Sequence, residues 1–149
     1  MSQNLDYARS RTDNIVKSDF SVSLMNNHKW VKVMQALSDS DLVFECDAKL
    51  VWDESIRKVF IMNAGYCIDF YGESMEGMIS GYPKGFYDYK ELQWLEFPSK
   101  AEVLENPDNL KAGSKLIDQD VDKIHDILTS LGQFELERGP QYLRLYGYK

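Results

Sequence analysis

Apolar positions along this chain switch between helical and strand spacing, and the switches mark out its elements. Trp30, Val33, Met34 and Leu37 share one helical face, with Asn26 or Asn27 as N-cap and Ser38-Asp39-Ser40-Asp41 as the stop. From Leu42 the pattern shortens to β-rich runs, Leu42 to Cys46, Leu50 to Trp52, Lys58 to Met62 and Tyr66 to Tyr71. Asp53-Glu54 and Asn63-Ala64-Gly65 separate them, and the series predicts three or four antiparallel strands. Residues 72 to 86 carry Gly72, Gly77, Gly81, Pro83 and Gly85, which predict an irregular loop or a long-tipped hairpin. Lys90 to Phe97 reads as a strand at least partly covered on both faces and stopped by Pro98.

The stretch 99 to 118 is charged and holds Pro107 and Gly113, so a surface excursion is expected there, with a short helix near Ala101 to Glu105. A second helix follows. Asp118 or Asp120 caps it, Val121, Ile124, Ile127, Leu128 and Leu131 line one face, and Gly132 ends it. Gln133 to Glu137 and Tyr142 to Tyr146 then flank Arg138-Gly139-Pro140-Gln141 as a closing β-hairpin. Residues 1 to 25 lack sustained periodicity and are expected as an N-terminal arm, with Ile15, Val16, Phe20 and Val22 available to dock it. Residues 26 to 149 form the domain. The pattern as a whole predicts an α+β fold, a central antiparallel sheet of five to seven strands with two main helices packed on one face.

Composition narrows the class. A chain of 149 residues that is 44% hydrophobic and 13% aromatic can fill one core, which argues against disorder of the whole. No apolar run approaches the ~20 residues of a membrane span. The start, Met1 to Tyr7, lacks the order of a signal peptide, so a cytoplasmic protein with no membrane contact is expected. Cys46 and Cys67 lie in apolar stretches and are expected as reduced, buried thiols. A net charge of -7 disfavours nucleic acid and anionic lipid and favours a basic protein partner.

Candidate chemistry is sparse. His28 and His125 fall on predicted helices without metal-ligand spacing, and packing or exposure is their simplest role. Ser55-Ile56-Arg57-Lys58 matches a Ser-x-x-Lys pattern but lacks its companion motifs. Asp69, Glu73 and Glu76 beside the Gly-rich loop are the best carboxylate group for an enzyme, though a solvated acidic surface explains them more simply. No catalytic residue, metal site or cofactor is therefore expected. The strongest binding candidate is the acidic run Asp39, Asp41, Glu45, Asp47, Asp53 and Glu54, with Trp52 among them. On a strand, Glu45 and Asp47 share one face, which predicts a compact negative patch able to steer a basic partner. A solubilising face is the plainer account of the same residues. Tyr82, Phe86, Tyr87 and Tyr89, with Met75 and Met78, form a second candidate contact surface, with core packing as the alternative. Trp30, Trp94 and Tyr148 are assigned to structure.

Met25 to Trp30, Tyr89 to Pro98, Leu131 to Phe134 and the ending Leu143 to Tyr148 follow one another as blocks. In that order they resemble a small bacterial family, the one numbered 6678 among domains of unknown function. The Trp-x-Glu strand and the Gly-Tyr ending are the most specific parts, and residues 42 to 86 match only in hydrophobic pattern. The resemblance implies a small bacterial protein of a family without an assigned activity, similar in size and style to the immunity proteins that sit beside secreted toxins. With the acidic run, the expectation is an immunity protein that neutralises a cognate toxin, a nuclease with a basic groove being the candidate, by direct binding. The alternatives are a homodimeric structural or regulatory module and, third, a carboxylate-dependent enzyme.

Overall fold

A computed structural model describes residues 2–61, 79–82, 87–106 and 108–149. Helix α1 spans Ser2–Asp19 and α2 Asn27–Ser40, followed by strands β1 (Asp47–Leu50), β2 (Ile56–Ile61) and β3 (Ile79–Tyr82). A 3-10 turn at Tyr89–Glu91 leads into β4 (Leu92–Pro98), β5 (Lys100–Leu104) and β6 (Ser114–Asp118). Helix α3 (Val121–Leu131) and the strands β7 (Leu136–Arg138) and β8 (Tyr142–Tyr146) complete the order. Among the described residues the main sheet has six antiparallel strands in the order β3-β2-β1-β4-β8-β7, and β5 and β6 form a separate hairpin. This is the expected α+β class.

Helix α2 starts where the Asn26 side chain accepts the Lys29 N–H at 2.8 Å, filling one of the orphan donors of the first turn. It runs to Ser40 and ends at Asp41, whose φ of 60° is a left-handed stop that Asp tolerates better than most side chains. Asp120 caps α3 in the same way, accepting from the Lys123 N–H at 3.0 Å. Trp30, Val33, Met34 and Leu37 of α2 and Val121, Ile124 and Leu128 of α3 join Ala48, Leu50, Leu92, Leu95, Leu143 and Leu145 in one buried cluster. The strand contributions follow from register. Ala48 pairs with Leu95, and Leu95 with Leu145, so these side chains lie on one sheet face.

Three expectations change. The N-terminal segment, expected as an arm, contains the 18-residue helix α1, and residues 21 to 24 are tied to the chain's end. Lys149 O accepts the Ser21 and Val22 N–H groups at 2.9 and 2.8 Å, and Gly147 O accepts the Leu24 N–H at 2.9 Å. Thr12 of α1 is buried, Arg11 lies over the Trp52 ring at 5.9 Å, and two ion pairs tie the helix to residues 88 to 90. The Arg9 guanidinium reaches both oxygens of Asp88, at 2.8 and 3.2 Å, and Lys90 reaches Asp13 at 3.0 Å.

The run Leu42 to Cys46 is irregular chain: Cys46 O accepts the Val59 N–H of β2 at 2.9 Å, but the paired register begins only at Asp47. The first strand begins at Asp47, earlier than the one expected at Leu50 to Trp52. Last, the helix expected near Ala101 to Glu105 is strand β5, paired with β6. The strand expected at Tyr66 to Tyr71 lies outside the described residues, as does the 72 to 86 loop apart from β3. No helix among the described residues is long and apolar enough to cross a membrane.

Candidate functional site

Glu45 and Asp47 do share a side of the chain, and Lys58 of the neighbouring strand lies between them. Its ammonium bonds Asp47 at 2.6 Å and also meets Glu45. Register explains this, because Asp47 pairs directly with Lys58 across β1 and β2. Burial alone would lower the lysine, but hydrogen bonds to the two carboxylates outweigh it and hold Lys58 above its ordinary value. Asp47 shares that single cation with Glu45 and lies near Glu96. Desolvation wins there and pushes its carboxyl up.

Gln119 holds the irregular run in place. Its amide oxygen accepts the Phe44 and Glu45 N–H groups at 2.6 and 2.9 Å, and its amide nitrogen donates to Glu45 O and Pro98 O at 3.0 and 2.7 Å. A buried side chain thus does for residues 44 and 45 what a strand neighbour would do. The free oxygen of Glu45 accepts the Glu102 N–H of β5 at 2.7 Å, which ties the hairpin to the same run.

Between these parts lies an open cleft of about 520 Å³. Phe44, Cys46, Val59, Val103 and Leu104 wall it, with Glu45, Lys58, Glu102 and Ser114 at its polar margin. Phe44 and Leu104 keep 50% and 46% of their surface in solvent, high values for large apolar side chains. The cleft can accept an apolar group and pair a cation with carboxylate. The Cys46 thiol at its base is buried and pushed well above the ordinary range by desolvation, so it stays a protonated, unreactive thiol.

The remaining members of the acidic run go elsewhere. Asp39, Asp41 and Glu54 are exposed, and among the described residues none forms an ion pair. Asp53 accepts the Ser55 N–H at 3.0 Å and pairs with Arg57 at 2.6 Å, and these bonds, in that order, hold its carboxyl below the usual range. Trp52 donates its indole N–H to Glu91 at 2.9 Å beneath the Arg57 guanidinium, 4.9 Å from the ring centroid. Burial raises Glu91 against the bonds from Trp52 and the Asp88 N–H. Since Arg57 and Lys58 are consecutive strand residues, Asp53 and Asp47 pair on opposite faces of the sheet. The expected compact patch is therefore divided, with Glu45 and Asp47 sharing Lys58 on one face and Asp53 paired with Arg57 on the other.

The other candidates resolve simply. Tyr87 and Tyr89 are buried, and so are Trp30, Trp94 and Tyr148. Trp94 lies under the Arg144 guanidinium at 4.2 Å, and Arg144 also pairs with Glu96 at 2.7 Å. Lys58 is committed to its acids, so Ser55 has no basic partner in it. His28 is exposed and His125 half-buried. No group of metal-ligating side chains occurs among the described residues. Cys67, Asp69, Glu73, Glu76, Met75, Met78 and Phe86 lie outside the described residues, as does the Tyr82 side chain.

Pattern reading missed Phe44, Glu102, Leu104 and Gln119. The one available signal was the alternation from Lys100 to Leu104, which reads as a strand once Pro107 and Gly113 are taken as a hairpin tip. Comparison with protein-family models, curated proteins and solved structures finds no match to this chain.

Proposed function

We propose that this chain is a non-enzymatic binding protein that takes a basic protein partner in the cleft beside the hairpin. The observation that carries the reading is the half-exposed pair Phe44 and Leu104 over an open apolar cleft edged by carboxylates. Apolar anchors with a charged rim are the usual anatomy of a protein contact. The exposed Asp39, Asp41 and Glu54 and the net charge of -7 add long-range attraction for a positive surface. A bacterial toxin with a basic nucleic-acid groove, neutralised by direct contact, suits that chemistry and the immunity-like resemblance.

The test is affinity capture from the native bacterium with three baits: the native chain, Phe44→Ser with Leu104→Ser, and Asp39→Asn with Asp41→Asn. All three should keep the native circular dichroism spectrum. Retention of a basic toxin by the native chain, its loss with the cleft bait and slower capture by the acid bait are expected, together with relief of toxicity on co-expression. Equal capture by the cleft bait would overturn the reading.

A further inference from the structure

Among the described residues, the outer edge of β5 is unpaired at Leu104 and adds a second recognition element to the cleft. In the β5–β6 ladder, Glu105 N–H bonds Gly113 O and Gln119 N–H bonds Ser99 O, so Ser99, Ala101, Val103 and Glu105 point their backbone groups at β6. Lys100, Glu102 and Leu104 must then point theirs away from β6. The Glu102 N–H confirms the parity, since it reaches outward to Glu45. Among the described residues, the Leu104 N–H has no backbone partner. An edge of this kind is a template for another strand unless something blunts it. Here the Glu45 carboxylate blunts one end and leaves Leu104 open beside the cleft.

We infer that β5 takes an extended segment of the partner by strand addition at Leu104, with an apolar side chain of that segment in the cleft and a Lys or Arg of it beside Glu102. Charge complementarity selects this occupant. Glu45 and Glu102 line the cleft with one cation, Lys58, which is already bonded to Glu45 and to Asp47, so the margin of the cleft is net acidic. Main-chain bonds at an edge give affinity, and alternate side chains give selectivity. The inference rests on the cleft reading above and adds its geometry.

The probe is a capped peptide alternating lysine with valine, beside the same peptide N-methylated at alternate residues, added to the full chain. Amide exchange at Leu104 should slow about tenfold on saturation with the first peptide and not with the second, while Val103 stays unchanged. Leu104→Pro removes the outward donor without touching the ladder to β6 and should abolish peptide binding; Leu104→Ala keeps the donor and should retain part of it. Equal binding of the N-methylated peptide, or absence of Leu104 protection at saturating peptide, overturns strand addition. Protection that rises with protein concentration alone makes a second copy the occupant and overturns the partner assignment. If a captured partner still binds Leu104→Pro, the cleft reading stands and strand addition falls.

Discussion

Gln119→Ala should be among the most damaging single changes in the chain, although it removes no apolar core side chain. Gln119 is 3% exposed and serves four backbone groups, the N–H groups of Phe44 and Glu45 and the carbonyls of Glu45 and Pro98. Each buried group left unpaired costs about 1–3 kcal/mol, so four would set an upper limit of ~4–12 kcal/mol. Water entering the vacated volume restores part of this, and a loss of about 3–5 kcal/mol is expected. Against a total stability of ~5–15 kcal/mol that is a large fraction. In urea, with a slope of ~1–3 kcal/mol/M, the midpoint should fall by about 2 M.

Gln119→Glu separates the acceptor half from the donor half. Its carboxylate can still accept from Phe44 and Glu45, but it faces two carbonyl oxygens where an amide NH₂ had donated. Only the protonated acid can donate there, so the folded state raises its pKa. The variant should therefore regain stability as pH falls through that raised value, opposite to an ion-paired carboxylate. A loss below about 1 kcal/mol for Gln119→Ala would refute the argument, since it would show the run at 44 and 45 to be satisfied without this side chain.

Gly147→Ala would put a methyl 2.4 Å from Leu92 O and 3.2 Å from the Trp30 ring, so the backbone must shift. A loss of about 1–3 kcal/mol in thermal unfolding is expected, and an unchanged melting temperature would count against that packing. Asp88→Asn should loosen α1 by about 1 kcal/mol, because the Arg9 bonds are partly exposed. Faster tryptic cleavage at Arg9 and Arg11 with little change in global unfolding is the expected readout. High salt should do the same to the native chain, and insensitivity to both would show that other contacts hold α1. At alkaline pH, Tyr148 is held above its ordinary 10.0 by burial and Lys58 above its ordinary 10.5 by its carboxylates. For both groups the protonated form favours the fold. Stability should be intact below pH 10.0 and fall as pH rises through the raised values. Tyr148→Phe should flatten that fall, and an unchanged slope would contradict it.

The sequence by itself determined the elements whose side-chain period is their own evidence. Trp30 to Leu37 and Val121 to Leu131 repeat at helical spacing behind Asn and Asp caps, and the hairpin across Gly139-Pro140 carries its turn chemistry locally. Only tertiary structure decided the rest. Helix α1 docks through Arg9 and Asp88, 79 positions apart, which no local window contains. Leu42 to Cys46 has strand-like composition, yet its N–H groups at 44 and 45 go to a side chain about half the chain away. The cation between Glu45 and Asp47 comes from β2, and the cleft exists because the hairpin lies beside that run. Periodicity records which face a residue turns to the core; which surfaces meet, and which charges cancel, depends on contacts distant in sequence.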